Sequence, residues 1–189
     1  MNRNAIIVLT VAAFLAATPI DAHAQMSFGS FKGYLTGHVG MIAGDELTNE
    51  NFAAGGSVAV VEQTGWGAEF DFGHSSDAVA GPQVLDVTSY LMNAIWVKPL
   101  GVVRPFAIGG AGVLQVNGCD TPCYASARTY DLAMNLGGGA IVAFNDIVGI
   151  RADARYFFSS ADHPDLHRPD NFSFWRFTVG ATFMWSINP

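Results

Sequence analysis

The segment Gly65–His74 reads GWGAEFDFGH and sets two carboxylates, Glu69 and Asp71, among the aromatic rings of Trp66, Phe70 and Phe72. In an extended strand successive side chains point to opposite faces. Trp66, Ala68, Phe70 and Phe72 therefore share one face, and Gly67, Glu69, Asp71 and Gly73 the other. One face is oily and the other ionised. A soluble β-sandwich would bury the oily face and expose the acids. A membrane barrel would turn the oily face to lipid and enclose the acids. The choice between them depends on the rest of the chain.

Period-two alternation recurs in eight segments: about Lys32–Ile42, Ala53–Val61, Trp66–His74, Val87–Val97, Pro105–Val116, Thr129–Phe144, Val148–Ser159 and Ser173–Ile187. The connections alternate in length. EQTG, KPLGVVR and NDI are short and carry the turn-forming residues Gly, Pro, Asn and Asp. AGDELTNENF, SSDAVAGPQVLD, NGCDTPCYASAR and SADHPDLHRPDN are long, polar and acid-rich, and are read as loops. An even strand number, with short turns at one end and long loops at the other, is the organisation of an outer-membrane barrel, and a secreted sandwich is the competing reading. The fold class predicted is therefore all-β, an eight-stranded antiparallel up-and-down transmembrane barrel.

The faces of the other strands agree. Val148, Ile150, Ala152, Ala154, Tyr156 and Phe158 oppose Gly149, Arg151, Asp153, Arg155 and Phe157, while Trp175, Phe177, Val179, Phe183 and Trp185 oppose Arg176, Thr178, Thr182 and Met184. Strand six sets Tyr130, Leu132, Met134 and Leu136 against Asp131 and Asn135. Aromatics gather near the segment ends, with Trp66, Trp96, Phe106, Phe144 and Trp185 toward the short turns and Tyr130, Phe158 and Trp175 toward the long loops. Rings at both ends make the two interfacial girdles of a bilayer-spanning wall. On this reading Trp66, Phe70 and Phe72 face lipid, and Glu69 and Asp71 face the lumen.

Composition fits. Half of the 189 residues are hydrophobic and 13% are charged, and the 21 glycines and 14 phenylalanines suit strands and tight turns better than helices. The chain opens MNRNAIIVLTVAAFLAATPIDAHAQ. Arg3, the apolar run Ala5–Ala17 and the small-x-small site Ala22-His23-Ala24 read as a secretory signal peptide over residues 1–24, leaving residues 25–189 as one barrel domain. Export places Cys119 and Cys123 in an oxidising compartment, where a local disulfide closing a loop is the favoured pairing. The formal charge of −7, with few and scattered bases, disfavours a nucleic-acid partner.

Three stretches carry a resemblance. LGGGAIVAFNDIVGIRADARYFF resembles the penultimate hairpin, PFAIGGAGV the fifth strand and FTVGATFMW the closing strand of the small eight-stranded outer-membrane β-barrels, similar to the OmpA transmembrane domain and its porin-like relatives. The resemblance covers the whole of residues 25–189. It implies residence in the cell outer membrane, contact with its lipid and lipopolysaccharide, and insertion by the barrel assembly machinery. Members commonly finish on a terminal aromatic, whereas here Ser186-Ile187-Asn188-Pro189 follow Trp185.

The inward faces collect the acids Glu69, Asp71, Asp131 and Asp153 and the bases Arg151, Arg155 and Arg176, with Lys32 as a fourth base. Eight strands leave a bore about wide enough to be filled by side chains, so these charges should pair as a plug; a gated ion path is the alternative. If the last long loop centres near Asp165, Arg155 and Arg176 face each other, and they should draw in Asp153 together with Glu69 or Asp71.

An enzymatic reading has less to work with. The lipid A deacylase family carries a His two residues before its Ser, but Phe157 and Phe158 stand at those places before Ser159 and Ser160, so no catalytic residues are assigned. His163, Asp165 and His167 alternate as metal donors would, yet Pro164 breaks the helix that would align them, and a solvated loop is the reading; neither metal nor cofactor is expected. Asp45, Glu46, Glu50, Asp77, Asp86, Asp120, Asp162, Asp165 and Asp170 make the long-loop rim acidic, suiting cation-bridged lipid headgroups or a surface partner. The function expected is non-enzymatic, structural or surface-contact; a narrow passive channel is the alternative, and a lipid A-modifying enzyme comes third.

Overall fold

The computed structural model of the protein describes residues 30–44, 51–80, 83–120, 126–160 and 171–187. The sequence leader, Cys123 and the His163–His167 stretch lie outside them. Eight strands form in order: β1 Phe31–Ala43, β2 Asn51–Glu62, β3 Trp66–Ala80, β4 Gln83–Val97, β5 Val103–Asp120, β6 Ser126–Ala143, β7 Val148–Ser160 and β8 Asn171–Ile187. Each pairs antiparallel with its chain neighbours, and β8 closes on β1 from Phe31↔Ile187 to Ala43↔Trp175. No edge is left open, so every strand backbone has partners on both sides, as a hydrocarbon environment demands.

The short turns fix the register of the hairpins. In EQTG, Gly65 takes φ 94° and its N–H donates to the Glu62 carbonyl at 2.9 Å. A side chain there would be strained, and its Cβ would run into the Val97 carbonyl. In the β6–β7 turn the Asn145 Oδ1 accepts from the amides of Ile147 at 2.8 Å and Val148 at 2.7 Å, replacing a backbone partner with a side chain.

Two of the four acid-rich connections differ from the expected loops. β3 and β4 stay paired to Ala80↔Gln83, and β5 and β6 to Cys119↔Ser126, so most of SSDAVAGPQVLD and NGCDTPCYASAR is strand. Ladder hydrogen bonds continue beyond the apolar band, because polar side chains do not end a strand whose backbone still has a partner. The asymmetry between the two ends therefore lies in how far hairpins continue as well as in loop length.

The outer wall carries the apolar face of every strand. Phe70 is 45% exposed, Phe72 38%, Leu136 67%, Val179 50% and Phe183 52%, while inward neighbours such as Glu69 and Asp71 are at 1% and 0%. A surface this oily around the full circumference matches a bilayer. Trp66, Trp96, Phe144 and Trp185 lie on it near the short turns, and Trp175 near the opposite end, packed 5.2 Å from Tyr156. Phe106 departs from the expected girdle. It points inward and is 5% exposed, because Val103 begins β5 with the even-numbered residues facing the lumen.

Candidate functional site: a sealed ionic layer in the lumen

Inside the barrel the side chains form three levels. Toward the short turns lies an apolar layer including Tyr34, Ile95, Phe106, Ile108, Ile141 and Met184. Toward the long connections lies a second, including Ile42, Leu91, Leu114, Phe157 and Phe174, with the last two rings stacked at 4.7 Å. Between them sits a charged layer.

Its bases come from β7 and β8 and two of its acids from β3. In the closed order β3 stands four strands from β7, on the opposite wall. Arg151 Nη1 reaches Glu69 Oε2 at 2.5 Å, and its Nε reaches Asp153 Oδ2 at 3.2 Å. Arg155 lies at the centre. It contacts Glu69 at 3.0 Å, Asp153 at 3.1 Å and Asp71 at 3.3 Å. Arg176 reaches Asp71 Oδ1 at 2.6 Å and donates to Ser89 Oγ at 3.3 Å. Three guanidiniums thus face three carboxylates, a locally neutral set. Thr178 Oγ1 adds a hydrogen bond to Asp153 at 3.0 Å.

Strand pairing explains how two arginines tolerate adjacency. Arg155 and Arg176 are direct partners across β7 and β8, and Asp71 reaches between them from the far wall. Space for them comes from glycine: a Cβ on Gly73 would strike Arg176 Nη1, and one on Gly137 would press on Arg155. The guanidiniums also lie on the aromatic layers, Arg151 at 4.3 Å over Phe106 and Arg176 at 5.0 Å over Phe157. Desolvated charges are tolerable only when paired and hydrogen-bonded; each member of this layer is paired and makes at least one hydrogen bond, while Arg151 Nη2, Arg155 Nη1, Arg176 Nε and Asp71 Oδ2 are left without a hydrogen-bond partner.

Smaller bridges tighten the same level. Thr36 and Thr182 hydroxyls meet at 2.9 Å, and the Asn135 amide donates to Asn93 Oδ1 at 2.7 Å across Gly110, which stands between them in register. His38 is buried on the inward face of β1, over Gly55.

The structure brings Glu69, Asp71, Arg151, Asp153, Arg155 and Arg176 into one network. Asp131 is also buried and inward, but stands level with Leu114 of the upper apolar layer. Lys32, expected inside, is exposed at the short-turn mouth, one residue into β1. Arg104 escapes the sequence reading, because local alternation leaves KPLGVVR as a connection; it is the second residue of β5, inward and 8% exposed. Extending the alternation of Phe106 and Ile108 back by one pair would have found it. The Cys119–Cys123 pairing falls outside the described residues.

Ser159 points inward and donates to the Leu132 carbonyl at 3.0 Å, with Phe157 stacked on Phe174. Among the described residues no three His, Cys, Asp or Glu side chains gather as a metal site.

No protein-family model and no curated protein matches the chain significantly. Solved structures do. Neisserial surface protein A is similar with a TM-score of 0.65 at 11% identity, over 82% of this chain and 98% of that one. The N-terminal β-barrel domain of Pseudomonas aeruginosa OprF gives 0.54 at 16% identity, over 83% and 98%. Ail, the attachment invasion locus protein of Yersinia pestis, gives 0.56 at 16% identity in its complex with the heparin analogue sucrose octasulfate, over 83% and 99%. The likeness is one of fold: the chain is an eight-stranded closed barrel of the small outer-membrane type.

Proposed function

We propose that the protein is a non-enzymatic integral outer-membrane barrel with a sealed lumen, anchoring a structural or surface-contact role carried by its acid-rich long connections. The observation that carries this is contact between opposite walls: Arg151 and Arg155 of β7 hold Glu69 of β3 at 2.5 and 3.0 Å, with apolar layers above and below. An ion entering from either side would meet an oily plug before the charges, and would have to separate buried pairs to pass. The uninterrupted apolar wall and the likeness to outer-membrane barrels support the location. Lipid and lipopolysaccharide are then the immediate surroundings, the barrel assembly machinery the route of insertion, and a leader removed after Ala24 the means of export. Ser159 is held by a main-chain carbonyl with aromatic neighbours, which favours a packing role over a nucleophilic one.

Planar-bilayer recording tests the proposal. The folded protein should give no reproducible conductance steps, and steps at neutral pH and moderate salt would install the narrow-channel reading in its place. Crosslinking on intact cells should then capture contacts through the long connections.

A further inference from the structure

At the short-turn mouth a cavity of about 210 Å³ opens below the lower apolar layer, lined among others by Lys32, Tyr34, Val61, Val97, Arg104 and Ser186. Arg104 is more than nine-tenths buried, yet its hydrogen bond is to a thioether, Met184 Sδ at 3.1 Å. A thioether is a weak acceptor, and a buried guanidinium ordinarily holds a carboxylate or several oxygens. The three core arginines of this barrel each do. Lys32, exposed at the same mouth, also makes no ion pair among the described residues. Glu62 lines the rim but is exposed and accepts from Thr64 Oγ1 at 3.2 Å, so the lining keeps an excess of one positive charge.

We propose that this mouth is a binding site for a small organic anion, a carboxylate on a short apolar body. Arg104 offers the planar fork that matches a carboxylate, and Lys32 adds a mobile second cation. The apolar part of the lining is Phe31, Val61, Val97 and Pro99, which would take the body, with Tyr34 and Ser186 among its polar neighbours. The volume is ample for several waters and so for a short-chain carboxylate. The field favours the same end. The long connections set the acids Asp45, Glu46, Glu50, Asp77, Asp86, Asp120, Asp162, Asp165 and Asp170 against Arg128 and Arg168, whereas the short-turn end carries Lys32, Lys98 and Arg104 against Glu62 and Asp146. An anion is repelled from one mouth and drawn to the other.

The test uses the full chain folded in nanodiscs, with pentanoate as probe and pentan-1-ol as its neutral counterpart, read by calorimetry and by saturation-transfer NMR. Pentanoate should bind saturably and more weakly as salt rises, with pentan-1-ol at least about tenfold weaker. R104M should remove saturable binding. K32E changes an exposed residue, leaves the fold intact and should lower affinity several-fold. Equal binding of acid and alcohol overturns the site, as does pentanoate affinity unchanged in both variants.

Discussion

Asp71→Asn is the sharpest probe of the ionic layer, because the network makes its cost differ from that of its neighbour Glu69. Among the described residues Asp71 is the single carboxylate partner of Arg176, at 2.6 Å, and it is also the most distant of the three carboxylate partners of Arg155, at 3.3 Å. The substitution keeps shape and removes charge, leaving Arg176 buried with Ser89 as its remaining hydrogen-bond acceptor. Breaking one side of a buried pair costs about 3–5 kcal/mol. Glu69→Gln is milder. Arg151 keeps Asp153 at 3.2 Å, and Arg155 keeps both Asp153 and Asp71, so the loss is that of charged hydrogen bonds, about 1.5–3 kcal/mol. The double variant leaves three guanidiniums against Asp153, and because Arg155 touches both altered acids it should depart from additivity by about 0.5–3 kcal/mol. Urea unfolding in lipid vesicles measures all three, with Trp66, Trp96, Trp175 and Trp185 on the outer wall as fluorescent reporters of insertion. Equal costs for the two single variants, or additive effects below about 0.5 kcal/mol, would refute the reasoning, since they would mean that these acids are solvated independently.

Three further outcomes are expected. Phe70→Arg puts a guanidinium on the lipid-facing wall and should destabilise bilayer-folded protein by about 2–4 kcal/mol, and an unchanged urea midpoint would remove that face from the membrane. Gly73→Val drives a side chain into Arg176 and Ser89 and should cost about 1–3 kcal/mol, whereas Gly37→Ala, where an added Cβ meets nothing within 4 Å, should be tolerated in the same assay. The expected Cys119–Cys123 bridge closes only a short ring, so reducing it to two thiols should leave thermal unfolding of the barrel nearly unchanged while making that connection easier to cleave; two free thiols by intact mass in envelope-derived protein would contradict the pairing.

In the sequence by itself, period-two alternation was enough for the strand number, the antiparallel hairpin order and, Phe106 of β5 apart, which side of a strand forms the outer wall. Side-chain direction alternates with period two, so GWGAEFDFGH, VGIRADARYFF and FWRFTVGATFMW each declare both faces without reference to any partner. Placing Arg155 opposite Arg176 was also within its reach, because one hairpin fixes that register. Closure decided the rest. Only a ring of eight strands sets β3 against β7, so the choice of Glu69 for Arg151 and Arg155, and of Asp71 for Arg176, depends on two walls far apart in sequence meeting across a bore narrow enough for one pair of side chains. Arg104 escaped for a related reason. Whether a residue at a strand's end is turn or wall depends on where its neighbours stop pairing, and β6 carries the ladder to Val103↔Val142, two residues beyond the local alternation. The same non-local pairing turned two acid-rich loops into strand, because a backbone hydrogen bond is satisfied by its neighbour's position and not by its own side chain.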